Sequence, residues 1–444
     1  MKARKLEGRL LAEPVEIATA VGRALAVQPV VDLHTHLYPP SFGTPVANAK
    51  GRMDPAGLML WGVDELLTYH YLAAELFRVE PIAPAVFWKM GKIEQADLVW
   101  KRLFLDRSPV SEACRGVLTT LAKLGLDVRG KSLNKYRKHF YAQDPDRHTD
   151  TVMKVANVES ITMTNDVFDD NERERWLGGN IREDSRFKAV LRIDPMIVGW
   201  PAASGRMAGW GFRVKAKPNG ETIREARRFL YGWLDRMKAI YIAASLPPRF
   251  AYPARKDDPA AVAGETILKE AILPVCAERR IPFAAMIGSE RGVNPEYRGA
   301  GDMPGRADVR AVTTLCREFP GNRFLVTMLS RENQHELAVA ARKFPNLMVF
   351  GCWWFLNNPS LIAEITALRV ELLGTSFIPQ HSDARILEQL VYKWEHSRAV
   401  IGTVLADKYA GLAKTGWPVT SGAIAADVER LLKGNFLGFL DRAR

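Results

Sequence analysis

His34 and His36 stand two positions apart at the end of the run VVDLHTH, which begins at Val30 and is followed by the break Pro39-Pro40. Successive side chains on a strand point to opposite faces, so positions i and i+2 share a face, and two imidazoles placed there can grip one cation. Two packed histidines are the plain alternative for such a pair taken alone. A carboxylate tips the balance, and one follows the last apolar run of the chain, Asp383 in PQHSDARILEQL. Two imidazoles and a carboxylate make a borderline divalent site, with zinc the leading candidate and positions left open for substrate or water. Asp383 also suits a helix N-cap or an ion pair to Arg385, and it could act as both ligand and base.

Three arginines, Arg192, Arg331 and Arg385, each close an apolar run. A surface ion pair is the ordinary use of such a residue, yet the guanidinium fork fits a carboxylate, and three converging on one mouth call for an acidic substrate. His70 and Tyr71 in LLTYHYLAAE are packing residues or proton donors and relays. In GCWWFLNNPS one of Trp353 and Trp354 should face a pocket and the other the helices, if the run is a strand. There is no Gly-x-Ser-x-Gly elbow and no phosphate-binding glycine loop.

These residues need a frame. From residue 150 onward short apolar runs alternate with helix-like stretches, at 158–166, 187–195, 239–248, 282–290, 322–331, 347–354 and 372–383. With VVDLHTH they make eight, each near-continuously apolar, as parallel strands buried on both faces must be. The pattern predicts an α/β fold, a (β/α)8 TIM-type barrel, whose chemistry sits at the C-terminal ends of the strands. Residues 1–60 hold an N-terminal helix, the first strand and a lid loop rich in Gly, Pro and Ala. Apolar residues at helical spacing predict a helical insert over 61–150, after strand one, and 151–444 complete the barrel.

The chain has 444 residues, 62 Lys and Arg against 50 Asp and Glu, and a net charge of +12 spread without long like-charge blocks. That excludes a nucleic-acid-binding tail while favouring capture of small anions. Four unpaired-looking cysteines (Cys114, Cys276, Cys316, Cys352) and the lack of an 18-residue apolar stretch predict a cytoplasmic protein with neither disulfides nor a membrane span.

The pattern of His-Thr-His after strand one and Asp after strand eight resembles the amidohydrolase superfamily. The segments DLHTHLYPPSFG, LWGVDELLTYHYL, RSPVSEACRGVLT, MTNDVFDDNERE, TMLSRENQHEL, GCWWFLNNP and GTSFIPQHSDARILEQLVYKW together resemble the uronate isomerases, in their compact bacterial branch, over nearly the whole chain. The resemblance implies interconversion of D-glucuronate with D-fructuronate and of D-galacturonate with D-tagaturonate. It implies that His34, His36 and Asp383 hold one divalent metal, most simply Zn2+. His70, Tyr71, Arg192, Arg331 and Arg385 would then surround the sugar acid, with Trp353 or Trp354 nearby, in a homo-oligomeric enzyme. Asp383 is the expected base, with Tyr71, Arg385 and His34 assisting.

Two departures stand out. The fifth run, PFAAMIGSE, has Met286 and Gly288 where most amidohydrolases carry a histidine, and no lysine stands in the fourth run, AIYIAASLPP, so a single-metal site is expected. An insertion at 44–57 lengthens the lid loop. The competing class is a metal-dependent hydrolase or decarboxylase acting on another carboxylated substrate; a silent sugar-acid sensor is a third.

Overall fold

The computed structural model describes residues 8–47, 53–179 and 181–441. Its centre is a seven-stranded parallel sheet of β1 (Val30–Thr35), β2 (Val158–Asp166), β3 (Phe187–Arg192), β4 (Ile242–Leu246), β5 (Phe283–Ile287), β6 (Phe324–Met328) and β7 (Leu347–Val349). Each strand pairs in parallel with its successor in the chain. Every residue of β1, β5, β6 and β7 is buried, which is why these segments read as unbroken apolar runs: helices cover one face and core side chains fill the other.

The segment after residue 376 departs from the expected eighth strand. One stretch bonds to both edges of the sheet: Ile378 N donates to Val349 O at 3.1 Å, and Asp383 N donates to His34 O at 3.1 Å. Only an isolated bridge, Phe350 with Ile378, has ladder geometry there. Pro379 has no N–H to offer, and side chains replace the ladder. Gln380 Oε1 accepts from Cys352 N at 2.9 Å, and Asp32 accepts from Ser382 N at 3.1 Å. The result is a curled parallel α/β sheet, consistent with a TIM-type barrel.

Between β1 and β2 the chain runs through helices from Val63–Thr68 and His70–Val79 to Pro145–Ala156. Their buried residues fall at helical spacing, as Leu72, Ala73 and Leu76 do. A fully buried pair, His148 Nε2 with Glu388 Oε1 at 2.6 Å, ties the last of these helices to the residues just past Asp383, and Glu388 also accepts from Gly62 N. The expected lid loop at 44–57 falls partly on residues 48–52, outside the described residues. Among the described residues no helix is long and apolar enough to cross a membrane.

Candidate active site

Alternation along β1 places His34 and His36 on one side, while Thr35 turns to the other and donates to Thr162 O at 3.0 Å. Asp383 arrives from the far end of the chain. Its Oδ1 lies 3.2 Å from His34 Nε2 and 3.4 Å from His36 Nε2, and one ligand atom from each of the three residues falls within 4.8 Å of the others. His34 is set by a hydrogen bond behind it. The Thr164 hydroxyl donates its single proton to Thr35 O at 2.7 Å, so at 3.2 Å from His34 Nδ1 it must accept. That places a proton on Nδ1 and turns His34 Nε2 toward Asp383. Burial lowers His36 to about 4, so its imidazole is neutral at physiological pH. Two imidazoles and one carboxylate gathered this closely fit a divalent ion.

Behind the cluster the backbone is held from several directions. Asp32 is fully buried and accepts from Ser382 N and from Trp394 Nε1, the latter at 2.8 Å. Burial pushes its carboxyl up, against these hydrogen bonds. Lys393 Nζ donates to Ser382 O at 2.6 Å, and burial lowers its ammonium to about 8. His381 is fully buried edge-on to His34, with ring centroids 5.2 Å apart. It requires Gly351, where a Cβ would sit 1.7 Å from His381 Nδ1.

The cluster opens on a cavity of about 220 Å3, below the usual range of about 300–1,000 Å3 for drug-sized ligands. Arg192, Arg385, His70, Trp353 and Trp354 all line it. Arg192 at the end of β3 donates through Nε to Asp194 at 2.9 Å, and the other oxygen of Asp194 accepts from Ser245 N. Arg385 donates to His36 O at 2.9 Å and lies over the Tyr38 ring, whose hydroxyl donates to Glu172 at 2.8 Å. Burial pushes Glu172 up to about 7, against its hydrogen bonds from Asn165, Asp166 N and Tyr38.

Burial also lowers His70 to about 4. Its neutral ring donates from Nδ1 to Gly299 O at 3.2 Å, leaving Nε2 as a buried acceptor with no partner among the described residues. Both tryptophans reach the cavity, because the chain leaves β7 before them and turns at Trp354, where φ is 46°.

Two of the expected residues lie away from the cavity lining. Arg331 is not at the site: β6 ends at Met328, a 3-10 turn (Arg331–Asn333) follows, and the guanidinium pairs with Glu364 on the surface at 3.0 Å. Tyr71 is not on the cavity wall. It stacks on His70 with ring centroids 4.4 Å apart, its hydroxyl buried without a hydrogen-bond partner among the described residues. Tyr69 and Arg291, which sequence reasoning passed over, do line the cavity. Tyr69 sits one residue before His70, and its proximity was the available signal. Arg291 has none, since it follows a glycine turn and a two-residue ribbon strand, Ser289–Glu290. Met286 lies in the lining at the end of β5, where a hydrolase-type histidine would stand.

No protein-family model matches the chain, and no curated protein does. Among solved structures, a uronate isomerase from Bacillus halodurans C-125 is 49% identical with a TM-score of 0.91, the alignment covering 97% of each chain. A glucuronate isomerase from Caulobacter crescentus (16% identity, TM-score 0.74, 100% of this chain and 97% of that one) shares the fold. So does a uronate isomerase from Thermotoga maritima (15%, TM-score 0.72, 97% and 98%). With near-half identity over almost its entire length, the chain belongs to the uronate isomerase family, and with it to the isomerases.

Proposed function

We propose that the protein interconverts D-glucuronate with D-fructuronate, D-galacturonate with D-tagaturonate, or both, by moving a proton between C2 and C1 through a cis-enediol at a single-metal site. The observation that carries this reading is the placement of three converging metal-ligand atoms at one end of a small cavity whose rim holds Arg192, Arg291 and Arg385. A divalent ion on His34, His36 and Asp383, zinc by the nature of those donors, would polarise the sugar oxygens and acidify the C2 proton.

The remaining work falls to side chains. Asp383 takes the proton from C2 and returns one at C1, its second oxygen being available beside the ligating one. Arg385, anchored on His36 O, stabilises negative charge developing on the enediolate. His70 orients a sugar hydroxyl, its neutral Nε2 accepting while Tyr71 supports the ring from behind. With Arg331 on the surface, Arg192 and Arg291 form the guanidinium pair that reads the C6 carboxylate. Trp353 and Trp354 wall off water.

The reading extends to the frame. Residues 377–384 act as the closing element of an eight-membered barrel, and 61–150 as a helical insert that brings His70 over its mouth. A homo-oligomer in the cytoplasm is part of the same proposal; the four buried, free cysteines suit a reducing compartment.

Proton NMR of the purified protein with each sugar acid in deuterium oxide, before and after metal stripping, is the test. Ketose carrying deuterium is the expected product. Conversion without exchange would mean that the C2 hydrogen is handed to C1 within the site, by Asp383 returning the same proton or by a hydride shift, and C2-deuterated substrate with an Asp383→Asn variant separates the two. No change with either acid would put the hydrolase or decarboxylase reading first.

A further inference from the structure

The helix Gln389–Lys414 sends one cation into the region behind Asp383. Lys393 is 3% exposed, donates to Ser382 O at 2.6 Å and reaches Asp383 O at 3.5 Å, and makes no ion pair among the described residues. A buried ammonium whose partners are carbonyl oxygens is costly to keep. Its location suggests what it is kept for.

Asp383 has φ of 52°, in the left-handed region that a branched carboxylate side chain occupies only when its surroundings over-determine it. The N–H groups here are held by Asp32 and by His34 O. On the carbonyl side the holders are Lys393 and Asn357, whose Nδ2 donates to Ser382 O at 3.2 Å. The same ammonium lies 5.5 Å from the centroid of the Tyr71 ring, on the helix that delivers His70 to the cavity. One charge therefore touches both the backbone of the metal ligand and the support of the sugar-binding histidine.

We propose that Lys393 is a positioning residue: it locks the peptides of Ser382 and Asp383 so that the carboxylate faces His34 and His36, and it draws the Tyr71 ring to the same point. The role rests on the single-metal isomerase reading for its kinetic consequence, though not for its effect on the metal site.

The test compares Lys393→Met, Lys393→Gln and Lys393→Arg. Unfolding midpoint, Zn2+ affinity of the metal-free protein against a chromophoric chelator, and kcat and KM for D-glucuronate and D-galacturonate are measured for each. Lys393→Met should bind zinc about 10- to 100-fold more weakly, as the loss of a group supporting a ligand does, with kcat falling and KM held. Lys393→Arg, keeping charge and donors, should recover part of both. A folded Lys393→Met with wild-type zinc affinity and kcat would overturn the proposal, whatever its midpoint, because a merely structural lysine changes stability alone. Should Lys393→Met fail to fold, Lys393→Gln carries the comparison. Failure of all three to fold would assign Lys393 to folding and equally overturn it. A wild-type protein inert on both sugar acids would fail the isomerase reading instead, and the zinc affinities would still decide the role of Lys393.

Discussion

The two ends of the cavity are built by different means. At the metal-ligand end, Asp32, His34, His381, Asp383 and Lys393 are all at most 6% exposed, and the side chains of Asp32 and Lys393 are committed to the backbone of Ser382. At the rim, Arg385 is held by the carbonyl of His36, while the other two arginines are compensated by side chains: Arg192 with Asp194, and Arg291 with Asp302, the latter arginine's side chain 58% exposed. Buried groups committed to the backbone cannot move without moving the chain, so they fix geometry. Paired ions near water can exchange one anion for another at small cost, so they set affinity. Damage at the first end should appear in turnover and damage at the second in binding.

The largest effect is expected from Asp383→Asn, which keeps the shape and removes the base. Its kcat should fall by about 10²- to 10⁴-fold. Near-normal deuterium exchange at C2 would strip Asp383 of that role. Next comes Glu172, the one deeply buried carboxyl beneath the rim. Folded, it keeps its proton up to about pH 7, whereas the unfolded chain releases it near the ordinary 4.5.

Between those values the unfolded state binds fewer protons, so this group's contribution to stability falls as pH rises from about 4.5 to 7 and is level above, a total of about 3 kcal/mol. Urea unfolding of wild type and Glu172→Gln at several pH values should show the wild type losing ground to the variant across that window. A constant difference would mean that the carboxyl ionises freely and the rim holds no buried exception. Arg192→Met should raise KM for both uronates by an amount worth about 1.5–3 kcal/mol while sparing kcat. A matching loss in kcat would erase the division between the two ends. Arg331→Ala is the smallest, within about 0.5 kcal/mol in stability and without effect on kinetics; any rise in KM would return that arginine to the site.

The strands were legible because burial on both faces forces a continuous apolar run, as in β4 to β6, and that demand leaves a mark in the sequence. The stretch around Pro379 shows where this fails. LLGTSFIPQHSD has the composition of a strand, yet between its two backbone bonds to the sheet edges the side chain of Gln380 takes the N–H of Cys352 and Asp32 takes that of Ser382, a choice no local pattern encodes. His34, His36 and Asp383 could be paired from sequence because alternation and barrel adjacency relate them. Arg331 could not be placed, since three residues past a strand end a chain can turn either way, and here it turns outward. Lys393 was invisible for a related reason: a lysine inside a helical pattern reads as solvated surface.

The bonds that join residues 378–384 to both edges of the sheet carry a consequence for how the molecule comes into being. Ser382 and Asp32 are 350 positions apart in the chain, so the last piece of the ion's cage is synthesised long after the first. A ribosome-bound fragment presents two histidines and no third partner. Metal uptake there would thus report completion: an ion held on His34, His36 and Asp383 would mark a chain that has closed on itself, and by mass action it would resist reopening the seam.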